Sequence, residues 1–140
     1  KEENSYQLRP QICGLFFYLL LVNIEEVLMK FSESLKKNKD FQIVYRKGKS
    51  VANSYLVMYI LPNNTDRNRL GISVSKKVGN SVVRHRLTRL IRENYRLSEV
   101  HFRSGYDIIV IARKSAGEKG YHEIESALVH LGKLHNIYVP

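Results

Sequence analysis

One basic stretch constrains this chain more than any other feature of its sequence. From Lys76 to Arg96 the chain reads KKVGNSVVRHRLTRLIRENYR, in which Glu93 is the only acidic residue. At the helical step of about 100° per residue, apolar and basic side chains separate onto two faces. The apolar face comprises Val83, Leu87, Leu90, Ile91 and Tyr95, and the basic face comprises Arg84, His85, Arg86, Arg89, Arg92 and Arg96. The stretch therefore predicts an amphipathic helix with one cationic face.

The residues around this helix indicate how it starts and what it binds. Asn80 precedes the apolar periodicity, and its side-chain oxygen can cap the first turn, while Gly79 allows a sharp entry. A solvated face is the common explanation of charges on a helix, but such faces mix signs so that ion pairs form four residues apart. Here the neighbouring cations repel, and nothing in the sequence is placed to neutralise them. We therefore predict that a nucleic acid docks on this face.

The composition of the whole chain agrees with a polyanionic partner. The 140 residues include 23 Lys and Arg against 13 Asp and Glu, a formal net charge of +10, and 44% are hydrophobic. This length and apolar content predict a domain with a real core, and the charge favours RNA, DNA or an anionic membrane. The membrane is disfavoured because the basic helix lacks exposed Trp or Phe. The single cysteine, Cys13, excludes an internal disulfide and suits a reducing cytoplasm.

Residues 1–28 differ in composition from the rest of the chain. They carry more acidic than basic residues and contain the apolar run Ile12–Val22. That run is too short to span a membrane, which needs roughly 20 residues, and no signal-peptide cleavage site follows it. We expect 1–28 to be an extension upstream of a natural start at Met29, and 29–140 to be a single RNA-binding domain. The alternative is a genuine amphipathic or anchoring segment, and intact-mass analysis distinguishes the two.

The remaining elements alternate between helix and strand. A first helix through Phe41 and Tyr45 is expected to have its cap at Asn38 or Asp40 and its end at Gly48. The predicted strands are Ser54–Leu61, Arg69–Ser75 and Asp107–Ala112, and the last helix is Tyr121–Leu134. With two or three strands before the basic helix, the order αβββαβα predicts an α+β sandwich with helices packed against one sheet.

The sequence shows no catalytic group on the protein itself. Its carboxylates are scattered without the close spacing of a metal site, and His85 and Glu93 lie about 12 Å apart along the helix axis. His122, His130 and His135 lack a supporting acidic or Cys cluster and are interpreted as surface residues. The turn before the basic helix also lacks the glycines of a nucleotide-binding loop.

Several ordered blocks resemble the protein subunit of bacterial ribonuclease P. The blocks are Ser73–Glu93, which is similar to the family signature with its Arg-Asn-Arg core, and Asp40–Asn53, Tyr55–Tyr59 and Asp107–Ala116. The resemblance covers essentially all of residues 29–140 and none of the extension. Two positions depart from the family pattern: His85 stands where the family usually has Asn, and Thr88 where a Lys is common.

The resemblance implies a fold and a mechanism. The fold is an α-β sandwich of the ribosomal-protein type, with a left-handed βαβ crossover around the basic helix, against the general preference for right-handed crossovers. The activity is that of an endoribonuclease holoenzyme whose catalytic RNA, with Mg²⁺, removes the 5′ leader from precursor tRNA. The protein binds the ribonuclease P RNA and the leader, and it carries no catalytic residue, no metal of its own, no obligate protein partner and no membrane contact.

The resemblance also assigns two surfaces. The first, the basic surface, faces the catalytic RNA and comprises Lys76, Lys77, Asn80, Arg84, Arg86, Arg89 and Arg92. The second, the aromatic cleft, holds the precursor-tRNA leader and comprises Phe41, Tyr45, Val57 and Tyr59. The residues alone favour the core for Phe41 and Tyr45, whereas the resemblance favours partial exposure.

Two other functions share the charge pattern. A general RNA-binding or ribosome-associated protein without a processing role would not require the aromatic cleft. A helix-turn-helix DNA reader expects a helix directly before the basic one, whereas here a strand precedes it.

Overall fold

The computed structural model describes residues 32–140. These residues form strands β1 (Ser32–Ser34), β2 (Lys49–Ala52), β3 (Leu56–Pro62), β4 (Asn68–Ser73) and β5 (Tyr106–Ala112), and helices α1 (Asn38–Lys47), α2 (Ser81–Ser98) and α3 (Tyr121–Leu134). Short 3-10 helices at Glu99–His101 and Lys114–Glu118 follow α2 and β5. The predicted extension and the proposed start at Met29 lie outside the described residues.

The strands form one mixed sheet in the order β1-β4-β5-β3-β2. β4 runs parallel to β1 and to β5, while β3 runs antiparallel to β5 and β2. The predicted α+β class and the order αβββαβα are confirmed, and the structure adds the short strand β1 before α1. β4, α2 and β5 form the expected βαβ unit, whose handedness stays a prediction.

Side-chain alternation along the strands creates two faces. Leu56, Met58 and Ile60 of β3 are buried, whereas Val57 and Tyr59 are only half-buried, as the sequence pattern predicts. Directly paired residues point to the same face, so the pairing of β3 and β4 with β5 places Tyr59, Ile109 and Gly71 together. β5 lies at the centre of the sheet, which explains its continuous apolar run.

The helices cover these faces unequally. α1 packs on the face of Tyr59 and Ile109, where its Val44 is fully buried. α2 lies on the other face, because its fully buried Tyr95 has its hydroxyl 3.1 Å from the Asn68 side-chain amide in β4. α3 packs beside α2, whereas Val57 and Tyr59 on the face of α1 stay half-buried. The layers are therefore α1, the sheet, and α2 with α3, which is the predicted sandwich.

The ends of α1 differ in how well they were predicted. The residue at the N-cap is Lys37, without a side-chain cap, so the prediction that Asn38 or Asp40 caps the helix is wrong. Both residues lie within the first turn, where Asp40 instead contacts Arg69 at 3.5 Å. The predicted end at Gly48 is confirmed. A Cβ there would lie 2.6 and 2.7 Å from backbone carbonyl oxygens of α1 and β3, so only glycine fits without displacement.

Candidate nucleic-acid interface

The start of α2 is fixed by the two residues that the sequence singled out. The Asn80 side chain accepts a hydrogen bond of 3.0 Å from the backbone N–H of Val83, which confirms it as the N-cap. At Gly79 a Cβ would lie 2.9 Å from the Val83 side chain. Close approach of the entering chain to the first turn therefore requires the glycine. An RNA that contacts the Asn80 side chain would therefore meet an oxygen that already accepts the capping hydrogen bond.

The two predicted faces of α2 are present in the structure. Leu87, Ile91 and Tyr95 are fully buried, and they anchor the helix on the sheet. Among the residues of the basic surface, Lys76, Lys77, Asn80, Arg86 and Arg89 are exposed, whereas Arg84 and Arg92 are half-buried. Arg84 lies at the margin of the surface because its Nε donates to the Gly79 carbonyl at 3.3 Å.

Ion pairing neutralises one end of the cationic face. Arg96 donates to both carboxylate oxygens of Glu93, at 3.2 and 2.6 Å, so the expectation that nothing neutralises this face is wrong at its C-terminal end. The exception is local, because both partners lie on the last turns of α2. Within residues 32–140, none of the arginines of the basic surface forms an ion pair. Their mutual repulsion therefore persists over the first three turns of the helix, where an anion would relieve it.

Arg86 has partners that sequence reasoning missed. Its two terminal nitrogens donate to the backbone carbonyls of Gly117 at 2.7 Å and Lys119 at 3.0 Å. These carbonyls lie in and just after the second 3-10 helix, more than thirty residues along the chain, and no local pattern reveals them. Neutral carbonyl partners leave the charge of the guanidinium in place. Arg86 therefore holds two chain segments together and still contributes to the positive potential.

The two departures from the family pattern are accommodated within α2. The His85 side chain is exposed. The Thr88 hydroxyl donates to the carbonyl of Arg84, one turn earlier, at 2.9 Å. The Thr88 hydroxyl thus has its hydrogen-bond partner within the helix, and the side chain adds no charge to the basic surface.

The aromatic cleft lies on the opposite face of the sheet. The rings of Tyr45 and Tyr59 have centroids 5.1 Å apart at an interplanar angle of 72°, and Phe41 lies 6.1 Å from Tyr45. Phe41, Tyr45, Val57 and Tyr59 are all half-buried, which agrees with the partial exposure that the resemblance implies. Gly71 makes room for the Phe41 ring, since a Cβ at this position would lie 2.6 Å from Phe41 Cζ.

Polar groups border these rings. Burial raises the pKa of the Tyr45 phenol above its ordinary value of 10.0, the negative charge of an ionised Tyr59 raises it further, and a hydrogen bond with the Ser73 side chain lowers it. The phenol is therefore neutral near pH 7. A cavity of about 440 Å³ opens beside this group, lined by Leu35, Lys36, Asn38, Phe41, Gln42, Tyr45, Ile72 and Ser73. It offers both apolar surface and hydrogen-bonding groups.

A partly buried ion pair lies on the same sheet face as the cleft, and sequence reasoning did not single it out. Arg69 donates to both carboxylate oxygens of Asp107, at 2.8 and 2.6 Å, and Asn63 donates to the same carboxylate at 2.9 Å. The hydrogen bond with Asp107 is the main reason that the pKa of Arg69 is raised. All the contacts join β4, β5 and the loop before β4. The Asp107 carboxylate therefore has a structural role in holding these elements together.

The described residues offer no metal site of the usual kind. In residues 32–140, no three His, Cys, Asp or Glu side chains converge in a way that could hold a metal ion. None of the helices in this part of the chain combines the length and apolar character needed to cross a membrane.

The proteins to which this chain is similar in sequence are all ribonuclease P proteins among those compared below. The family model for ribonuclease P matches residues 29–135. The ribonuclease P protein component of Lachnoclostridium phytofermentans is 61% identical over 106 residues, which are 76% of this chain and 91% of the relative. That of Alkaliphilus metalliredigens is 54% identical over 103 residues, covering 74% of this chain and 93% of the relative.

The comparison with solved structures also finds ribonuclease P proteins. The ribonuclease P protein of Staphylococcus aureus is similar with a TM-score of 0.71 and 44% identity, over 76% of this chain and 98% of that structure. The ribonuclease P protein of Thermotoga maritima is similar with a TM-score of 0.67 and 32% identity, over 72% of this chain and 96% of that structure. Sequence and structure agree, and the chain belongs to the ribonuclease P protein family.

Proposed function

We propose that this chain is the protein component of a ribonuclease P holoenzyme, in which it binds the catalytic RNA and the 5′ leader of precursor tRNA. Members of its family are components of this tRNA-processing endoribonuclease. The observation that supports the finer proposal is the presence of two unlike surfaces, one cationic and one aromatic, on opposite faces of one sheet. One presents arginines without carboxylate partners in residues 32–140, and the other presents half-buried aromatic rings.

The basic surface suits a structured RNA. Arg86 and Arg89 project from a helix that is rigidly held by its buried face, so their charges keep a fixed spacing. Lysines and arginines that neutralise phosphates release condensed counterions, which supplies most of the sequence-independent affinity for nucleic acids. A folded catalytic RNA presents many phosphates at close spacing and therefore matches a cationic helix of this length.

The aromatic cleft suits a single strand. An unpaired base can stack on an exposed aromatic ring, a contact worth roughly 1–3 kcal/mol per base, whereas bases inside a duplex are not available. Exposed cations surround α1 and can hold the phosphates of such a strand: Lys36, Lys37, Lys39, Arg46, Lys47 and Lys49. The leader of precursor tRNA is a single strand, and mature tRNA lacks it.

The chemistry itself is assigned to the RNA. A protein that catalyses a two-metal hydrolysis of a phosphodiester holds the cations with converging carboxylates. Asp40 and Asp107 are engaged with Arg69, and Glu93 with Arg96, within the part of the chain that the structure describes. We therefore place the Mg²⁺ ions on the RNA, with the protein tightening the binding of substrate and metal. Location in the cytoplasm and the lack of an obligate protein partner remain predictions.

Multiple-turnover cleavage of a precursor tRNA tests this proposal. A bacterial ribonuclease P RNA is assayed at low Mg²⁺ with and without the full chain, and the full chain is assayed alone. Strong stimulation by the protein, with no cleavage by the protein alone, is the expected result. If the folded protein binds RNA but does not stimulate cleavage, the general RNA-binding function replaces the proposed one. Cleavage by the protein alone would refute the assignment of the chemistry to the RNA.

A further inference from the structure

A second group of cations lies next to the basic surface. Residues 113–119, which we call the 113–119 turn, connect β5 to α3 and contain the 3-10 helix Lys114–Glu118. The turn carries Arg113, Lys114 and Lys119, with Glu118 as its only acid. Arg113 and Lys114 are exposed and Lys119 is half-buried. The resemblance assigns none of these residues to the catalytic RNA.

The turn is fixed to the start of α2. Arg86 donates to its carbonyls at Gly117 and Lys119, at 2.7 and 3.0 Å. Gly117 also packs closely on the chain that leads into α2, since a Cβ there would lie 3.0 Å from the carbonyl oxygen of Val78. Ala116, between these contacts, is fully buried. The turn therefore has little freedom to move relative to the basic surface.

The other side of the turn is fixed to the connection between β2 and β3. The Arg113 guanidinium donates to the Asn53 carbonyl at 2.8 Å, and its backbone N–H donates to the Tyr55 carbonyl at 2.8 Å. The Ser115 hydroxyl donates to the Ser54 carbonyl. Lys119 Nζ lies 5.3 Å from the centroid of the Tyr55 ring, within the range of a cation–π interaction. The position of Lys119 is thus restricted by the ring below it.

The positive charge of the turn is not neutralised locally. Within residues 32–140, Arg113, Lys114 and Lys119 form no ion pair. The nearby carboxylate of Glu123 is used at the start of α3, where it accepts from the backbone N–H of Gly120 at 3.1 Å. The turn therefore continues the field of the basic surface, with Arg86 at the junction between them.

We propose that the 113–119 turn is a second limb of the RNA-binding surface, on which Lys114 and Lys119 contact phosphates of the same RNA that docks on α2. Arg86 is the positioning residue that holds this limb against the helix. The inference rests on the proposed function and adds residues and a positioning role to it. An RNA fits because phosphates repeat along its backbone and one strand can meet both limbs. Lys119, which lies over the Tyr55 ring, also loses little conformational freedom on binding.

The test compares two lysines in similar surroundings. Lys119 lies over Tyr55, and Lys133, near the other end of α3, lies 5.8 Å from the centroid of the Tyr138 ring. Affinity of the full chain for a ribonuclease P RNA is measured as a function of salt for Lys119→Ala, Lys114→Ala and the control Lys133→Ala. Each of the first two is expected to lower the slope of log affinity against log salt by about 0.7–0.9, the value of one phosphate contact. The control leaves the slope unchanged.

The positioning role of Arg86 is tested by a double-mutant cycle on the same slope. Arg86→Lys keeps the charge but cannot hold two carbonyls with one planar fork. If Arg86 positions the limb, Lys119→Ala lowers the slope less in the Arg86→Lys background than in the wild type. Equal effects in both backgrounds overturn the positioning role, because an unconnected lysine would not respond to this change.

The outcomes separate the inference from the proposed function. If Lys114→Ala and Lys119→Ala behave like Lys133→Ala while Arg89→Ala lowers the slope, the second limb is wrong and docking on α2 stands. If the wild-type chain neither binds the RNA nor stimulates cleavage, the proposed function fails. Circular dichroism and thermal unfolding of each variant show whether a lower affinity comes from loss of fold.

Discussion

Removing the Arg89 side chain is the cleanest perturbation of the basic surface. Arg89 is exposed, and it makes no side-chain hydrogen bond or ion pair with another residue in the range 32–140. Arginine and alanine also have similar helix propensities. Arg89→Ala is therefore expected to change the free energy of unfolding by less than about 0.5 kcal/mol, as for other surface substitutions. Any larger loss of RNA affinity then reports a lost contact.

The expected size of that loss follows from counterion release. One phosphate contact contributes about 0.9 to the salt slope on a duplex and about 0.7 on a single strand. Between 1 M and 0.1 M salt, such a slope changes the affinity about 5- to 8-fold, which is about 1 kcal/mol. Arg89→Ala should therefore weaken binding to the ribonuclease P RNA by this factor near 0.1 M salt and by much less near 1 M.

Arg96→Ala is the matched control. It removes the same side chain from the same helix and changes the net charge by the same amount, but Arg96 is already paired with both oxygens of Glu93. Titrations of labelled RNA at several salt concentrations give the slope for each variant. A larger slope change for Arg89→Ala than for Arg96→Ala is expected. Equal changes would show that only net charge matters and would refute the assignment of a phosphate contact to Arg89.

Three further predictions concern the cleft and the core. Tyr59→Ala should weaken binding of precursor tRNA by about 1–3 kcal/mol, because a leader base can stack on this ring. Binding of mature tRNA, which has no leader, should be almost unchanged. Equal losses of affinity for both RNAs in a competition assay would indicate that the ring is purely structural. Gly71→Ala should lower the free energy of unfolding in urea by about 1–3 kcal/mol, since its Cβ would overlap the Phe41 ring. The same substitution should cost much less in a Phe41→Ala background, and an unchanged cost would place the strain elsewhere. Tyr95→Phe should cost about 1 kcal/mol near pH 8 through lost hydrogen bonds. Burial raises the pKa of Tyr95 in the folded protein, so its hydroxyl contributes stability that declines as the pH rises above about 10. The difference between wild type and Tyr95→Phe should shrink there, and a constant difference in urea unfolding would contradict the buried phenol.

Features that depend only on residues close together in the chain could be predicted from the sequence. The cap at Asn80, the two faces of α2 and the alternation along β3 follow from local periodicity and capping chemistry, and the structure confirms each. The buried strand β5 follows from its apolar run. In each case the physical cause acts within a few residues. The partial exposure of the aromatic cleft, in contrast, was predicted from the family resemblance, since two aromatic residues on one helix face by themselves favour a core position.

Features that depend on distant partners could not be predicted. β1 consists of Ser32–Ser34, which has no apolar side chain, and it exists through parallel pairing with β4 and the 2.9 Å contact of Ser32 with the Tyr95 hydroxyl. The same reason explains the missed partners of Arg86. It also explains the error at the start of α1, where the carboxylate of Asp40 is held by Arg69 and does not cap the helix.

β4 connects the aromatic cleft and the basic surface, although they lie on opposite faces of the sheet. Gly71 makes room for the Phe41 ring, and Ser73, the last residue of the strand, lines the same cavity as Tyr45. A few residues further along the chain, Lys76 and Lys77 lead into α2 at the cap Asn80. A shift of β4 in the sheet would therefore displace the cleft and the basic surface together. The bidentate pair of Arg69 in β4 with Asp107 in β5 opposes such a shift. On the proposed function, in which the cleft holds the leader and the basic surface holds the catalytic RNA, this ion pair would therefore set the position of one RNA relative to the other.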